Sequence, residues 1–184
     1  VIRRSIEIPE KQYYVIVPEQ FSLEMQRKIV KMHPRHGFFN IDVLSFHRLS
    51  YRIFAECNYQ PKEILEDLGV SMMLRKILSE EEGDFLYFKK SMKKPGFIDE
   101  LKSMLMEFIG YGVSWKQVEE VTKQLDENKS LCNKCEELGR IYERFEKAIE
   151  GRFMVTEQIL DIAREFTGKA PMLKNAVFYV DGFA

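Results

Sequence analysis

Six residues without polar alternation after the first, Gln12-Tyr-Tyr-Val-Ile-Val17, predict a strand covered on both faces of a parallel sheet. Pro18 stops it. From Phe21 to Met32, apolar Phe21, Met25, Ile29 and Met32 recur at helical spacing, and Ser22 is placed to cap the start. Gly37 and Asn40 punctuate a turn, Ile41-Asp-Val-Leu44 makes a second short strand, and Phe46 to Phe54 opens another helix. Two strand-helix units in succession imply parallel strands joined by right-handed crossovers.

Beyond about residue 57 helical periodicity takes over, and no convincing strand appears between Pro61 and Phe166. Ile64, Leu65, Leu68, Met72, Met73 and Ile77 are expected on one face of a helix ending near Gly83. Phe97, Leu101, Met104, Leu105 and Phe108 line another, opened by Pro95-Gly96 and closed at Gly110 or Gly112. Ser114-Trp-Lys-Gln117 has the form of a capping box and starts a short helix to about Leu125. After a polar break from Asp126 to Ser130, Leu138, Ile141, Tyr142, Phe145 and Ile149 form the stripe of a long helix, with Glu143 and Lys147 set for an i,i+4 ion pair. Thr156 is expected to cap a last helix to Phe166. Pro171 then leads into a buried strand that ends at Asp181.

The fold class expected is therefore α/β: a partial P-loop-type parallel sheet, interrupted by a large all-helical insert, in a chain that is mostly α overall. The boundaries fall at 1–57 for the partial α/β domain, 58–170 for the insert, and 171–184 for the returning strand with its Asp-Gly motif. A short apolar run closed by Asp is how such a domain presents the acidic group that orients magnesium beside a triphosphate. No Gly-x-x-x-x-Gly-Lys-Ser/Thr loop occurs, and the chain begins with Val, so the expectation is a piece of a larger protein. Gly182 occupies the place where a working ATPase keeps a Glu to position water, which predicts slow or absent hydrolysis at Asp181.

With 184 residues and 45% hydrophobic content the chain is long and apolar enough to bury a core. Its apolar runs are far too short to cross a membrane, and no export signal is present. Cys57, Cys132 and Cys135 make a poor disulfide framework and point to a reducing cytoplasm. Cys132-x-x-Cys135 is half a zinc site with no second pair, so no metal is assigned. The net charge of -1 excludes a globally basic binder, yet residues 1–60 hold nine Lys/Arg against six acids. A lysine knot, Lys89-Lys90-x-x-Lys93-Lys94, follows Phe85, Tyr87 and Phe88; its plainer reading is a solvated face.

Two segments leave the carboxyl edge of the predicted sheet, where open α/β sheets bind ligands. In Val17-Pro-Glu-Gln-Phe-Ser22, Gln20 and Ser22 offer hydrogen bonds to bases or phosphates and Phe21 a stacking face. The plainer reading makes Phe21 core and Ser22 a cap. In Leu44-Ser-Phe-His-Arg-Leu-Ser-Tyr-Arg52, two arginines, a histidine, hydroxyls and aromatics suit a single-stranded backbone groove. Arg48 and Arg52, four apart, share a helix face; the alternative is that they extend to solvent. No catalytic grouping emerges elsewhere.

Five segments, Tyr14-Val-Ile-Val-Pro-Glu-Gln-Phe-Ser22, Val43-Leu-Ser-Phe-His-Arg-Leu-Ser-Tyr51, Leu74-Arg-Lys-Ile-Leu78, Lys94-Pro-Gly-Phe97 and Phe178-Tyr-Val-Asp-Gly-Phe183, together resemble AddB, the B subunit of the bacterial AddAB ATP-dependent helicase-nuclease. The resemblance implies a superfamily 1 helicase-like half that is not a motor, and a parent that carries a nuclease domain with an iron-sulfur cluster. It further implies an AddA-like motor partner and work on double-strand DNA ends, with recognition of the regulatory Chi sequence as single strand. By motif match, Gln20, Ser22, Arg48 and Tyr51 correspond to DNA-reading positions, with Arg52 beside them; Asp181 is a nucleotide-site remnant. No catalytic residue and no cofactor is assigned to this segment, and ATP with magnesium and the cluster belong to the parent. The rival expectation is a helical protein-interaction module on a small α/β base, with no nucleic-acid role.

Overall fold

A computed structural model describes residues 1–80, 83, 85–122 and 129–183. The chain divides into two compact units, one of residues 1–61 with 159–184 and one of residues 62–158.

The first unit is built on three parallel strands, β1 (Tyr13–Ile16), β2 (Ile41–Leu44) and β5 (Val177–Val180), in the order β2-β1-β5. β1 lies in the middle, in register Tyr14 with Asp42 and with Phe178, and all four of its residues are buried. The sequence pattern predicts that β5 is buried too. In the structure it alternates, with Phe178 and Val180 exposed, because only one edge of β5 is paired among the described strands and one side of it is uncovered. A six-residue helix, α1 (Ile2–Glu7), is too short to leave a readable period. The Tyr13 hydroxyl donates to the Arg4 carbonyl at 2.8 Å, tying α1 down.

Helix α2 (Ser22–Met32) follows β1, and α3 (Phe46–Glu56) follows β2. Ile29 is buried and Met25 partly so, but Phe21 and Met32 are 44% and 64% exposed, so only the middle of the predicted stripe faces the sheet. Ser22 does not cap α2. A 3-10 turn, Glu19–Phe21, precedes the helix, and the Ser22 hydroxyl donates back to the Glu19 carbonyl at 2.8 Å. Helix α8 (Ile159–Phe166) also packs in this unit, against α3, although periodicity alone places it with the insert. Tyr59 and Phe166, ring centroids 4.6 Å apart, close that contact.

The second unit is helical around its own core. It contains α4 (Asp67–Glu80), α5 (Phe97–Gly110), α6 (Trp115–Thr122) and α7 (Lys129–Ile149). The expected α7 stripe is buried residue for residue, with Leu138, Ile141, Tyr142, Phe145 and Ile149 against Leu74, Leu101 and Leu105. The α4 face differs. Val70, Leu74, Ile77 and Leu78 are buried while Leu68 and Met72 are exposed, because α4 is apolar on several sides and periodicity alone does not fix its rotation. Nor is the insert all-helical: β3 (Glu63–Ile64) pairs in parallel with β4 (Phe153–Met154). Two-residue strands carry no alternation to detect.

The capping box at Ser114 forms as predicted, the Ser114 amide donating to Gln117 Oε1 at 2.8 Å and the Gln117 amide to Ser114 Oγ at 3.4 Å. At the start of α8 the side-chain closure comes from Gln158, whose Oε1 accepts from the Val155 amide at 3.0 Å; Thr156 opens a 3-10 turn. The predicted end of α6 near Leu125 and the polar break from Asp126 to Glu127 and Asn128 lie outside the described residues, while Lys129 and Ser130 already belong to α7.

Candidate nucleic-acid interface

The carboxyl ends of β1 and β5 open onto a groove of about 200 Å³ lined by Val17, Pro18, Phe21, Lys28, Asp181 and Gly182, among others. Its geometry follows from the strands. Parallel pairing places Val17 and Asp181 at the same level, and the Asp181 amide donates to the Ile16 carbonyl at 3.0 Å. Gly182 then turns with φ +78°, a conformation that favours glycine, and a Cβ there would touch the Pro18 ring at 3.4 Å. Asp181 is exposed at the mouth of this groove.

The loops after β1 and β2 are tied together by Glu19. One of its carboxylate oxygens accepts from the Ser45 hydroxyl, and the other from Arg48 Nε at 3.0 Å. Ser45 is also the N-cap of α3, accepting from the Arg48 amide. The Ser45 hydrogen bond, foremost, and the Arg48 guanidinium together hold the Glu19 carboxyl below the usual glutamate range, against the opposing effect of burial. Gln20 is exposed in the turn beside this clamp. The carboxyl edge thus carries a fixed polar corner.

Three aromatic rings flank it. Phe46 at the start of α3 and Phe183 after β5 pack at a centroid distance of 5.3 Å while each keeps at least 40% of its surface exposed, and Phe21 is similarly open. Tyr51 is 41% exposed, edge-on to Phe54 at 6.0 Å. Exposed rings near one polar corner are the kind of surface on which bases stack.

Not every predicted residue joins this arrangement. Arg52 lies one turn further along α3, where Nη1 meets Asp42 Oδ2 at 2.6 Å and Gln12 Nε2 donates to the same oxygen at 3.0 Å. That network braces β2 and lies away from the carboxyl edge. Ser22 is buried, and its hydroxyl is already engaged by the Glu19 carbonyl. Both arginines therefore carry a carboxylate partner, a middle course between the phosphate and solvent readings. Sequence reasoning missed Glu19 and the Phe46–Phe183 pair. Ser45 ahead of a helical run was a legible cap signal, but nothing local announced a Glu reaching it from 26 residues upstream.

Cys132 and Cys135 stand on the first turns of α7 and Cys57 closes α3, and among the described residues no three His, Cys, Asp or Glu come together to hold a metal ion. That donor set does not fit an iron-sulfur cluster. Among the described residues no helix is long and apolar enough to cross a membrane.

Comparison with known proteins adds an independent line. A family model described as "ADDB, N-terminal" matches residues 1–184. The chain is 34% identical over 184 residues to the B subunit of the ATP-dependent helicase/deoxyribonuclease of Lachnoclostridium phytofermentans, covering 100% of this chain and 16% of that protein. The protein of the same name from Acetivibrio thermocellus is 32% identical over 169 residues, 92% of this chain and 15% of its own length. That from Clostridium kluyveri is 30% identical over 182 residues, 99% of this chain and 16% of its own. The chain spans about a sixth of the length of these relatives.

Proposed function

The chain belongs to the ADDB N-terminal family, and on that footing we propose that it is the helicase-like part of the B subunit of an ATP-dependent helicase-nuclease acting on double-strand DNA ends in recombinational repair. Its own share of the work is to hold single-stranded DNA, Chi included, across the carboxyl edge of the β2-β1-β5 sheet, and to contact an AddA-like motor subunit in the cytoplasm. It binds DNA and does not cut it. The observation that carries this reading is the corner where Gln20, the Glu19–Ser45–Arg48 clamp and the exposed rings of Phe21, Phe46 and Phe183 meet one sheet edge. Open parallel sheets take ligands at that edge.

Within this reading the residues divide the labour. Gln20 offers a donor and an acceptor to a base edge, and the rings offer stacking faces worth about 1–3 kcal/mol per base. Arg48 reaches a phosphate only by sharing itself with Glu19, which fixes its direction while reducing its net charge. Ser22 and Arg52 act behind the surface, setting the turn and bracing α3 on β2. Asp181 marks the place of a nucleotide-site acid in a P-loop-type sheet, with Gly182 beside it arguing for weak hydrolysis or none. ATP, magnesium and the iron-sulfur cluster are assigned to the parent protein outside residues 1–184.

The test is made in the complete two-subunit enzyme. Gln20→Ala and Arg48→Ala are expected to weaken the response to Chi while leaving unwinding of DNA ends largely intact. Wild-type Chi protection in both variants overturns the assignment. A second reading, a protein-interaction module, is favoured by one observation, the neutralisation of both arginines by Glu19 and Asp42. It predicts no salt-dependent affinity for single-stranded DNA, whereas phosphate contacts make affinity fall steeply with salt.

A further inference from the structure

The lysine knot, a solvated face on its plainer reading, is held by an unusual anchor. Glu137, in the middle of α7 and 4% exposed, accepts from three consecutive backbone amides, those of Leu86, Tyr87 and Phe88, at 2.6, 2.7 and 2.9 Å. Phe85 and Phe88 are sunk in the core on either side. The 3-10 turn Phe88–Lys90 therefore leaves this anchor with its backbone fixed, and Lys89 and Lys90 project from it exposed. Three amides on one carboxylate fix the loop far more firmly than a surface turn requires.

Along α7 from that anchor, Arg140, Arg144 and Lys147 follow at steps of three and four, on the same side of the helix as Glu137. They line a groove of about 490 Å³ shared with Lys76 of α4. Lys76 and Lys147 each lie by a carboxylate of their own helix, Glu80 at 3.9 Å and Glu143 at 2.8 Å. Lys89, Lys90 and Arg140 have no ion-pair partner among the described residues. The groove is lined by Lys76, Arg140, Arg144 and Lys147 with Glu80 and Glu143, around a smaller apolar part from Met73, Ile77 and Ala148.

We propose that this side of α7, from the pinned Lys89–Lys90 turn to the Arg140 groove, is a second polyanion surface that takes the sugar-phosphate backbone of DNA. It rests on the DNA reading above but uses none of the same residues. The ten steps from Glu137 to Lys147 cover ~15 Å at ~1.5 Å each. One strand of a duplex places a charge every ~3.4 Å of axis, so the surface reaches more than one phosphate. Sequence discrimination is absent here: cations on a rigid frame position the strand and do not read it.

The experiment titrates fluorescent single-stranded and duplex oligonucleotides with the 184-residue chain at several salt concentrations. The triple variant Lys89→Gln, Lys90→Gln, Arg140→Gln is expected to bind at least about tenfold more weakly, and to flatten the log-log salt slope by ~2 or more, at ~0.7–0.9 per lost contact. Arg48→Ala is measured beside it. If only Arg48→Ala weakens binding, the second surface is refuted and the sheet-edge reading stands; if only the triple variant does, the reverse holds. If the wild-type chain binds neither DNA, or polyglutamate binds while DNA does not, both are overturned. Glu137→Gln supplies a readout that charge alone does not move. It makes the chain more positive, so simple electrostatics predicts tighter binding, whereas release of the pinned turn predicts weaker binding by a few-fold. A fold check by circular dichroism accompanies each variant.

Discussion

At the scale of single residues, two carboxylates organise the surfaces. Glu19 joins two loops that the sequence presents 26 residues apart, and its lowered pKa sets the sign of a pH effect. A carboxyl whose folded pKa lies below its unfolded value adds stability above the unfolded range, and that stability is lost as pH falls through the folded value. Thermal melts of Glu19→Gln should therefore fall below wild type at neutral pH, by up to about 1 kcal/mol for so exposed a group, and the gap should close in acid. A gap that widens in acid contradicts the clamp. Glu137 is the second. Glu137→Ala leaves three amides without their acceptor and should cost at least about 2 kcal/mol in urea unfolding, against less than about 0.5 kcal/mol for an ordinary exposed Glu→Ala.

Elements were legible where one face is buried and the run is long. β1 and β2 were readable as short apolar runs bounded by turn signals, and α3, α5 and the α7 stripe by a period of about 3.6. What failed were short pieces and choices of face: α1, the β3–β4 pair, and the exposed Leu68 and Met72 of α4. Of the candidate site, the two loops and Arg48 were legible because strand ends and caps have local signatures; Glu19, the Asp42 partner of Arg52 and the burial of Ser22 were not, because long-range partners leave no local trace. The contact of α6 with α7 makes a further test. A Cβ on Gly139 would lie 2.9 Å from Glu119 Cγ and 3.7 Å from the Trp115 carbonyl, so the helices approach through that glycine. Gly139→Val should destabilise by more than about 1 kcal/mol despite leaving the core stripe unchanged; a neutral effect in chemical denaturation would show that the helices are not packed this closely.

For the whole molecule, the two compact units carry two kinds of charged surface. The α/β unit carries hydrogen-bonding groups and rings at one sheet edge; the helical unit carries cations on a braced helix side. Within the family reading these divide DNA binding into a surface that reads bases and one that holds backbone. Whether the sheet edge meets single-stranded DNA is read out by crosslinking. A photoreactive single-stranded oligonucleotide is irradiated with the chain, and the attached peptides are mapped by mass spectrometry. Attachment is expected within 18–22 and 46–51, at Phe21, Phe46 or Tyr51, and is lost on adding excess unlabelled strand. Attachment confined to other segments, or none in these two at saturating oligonucleotide, would contradict it.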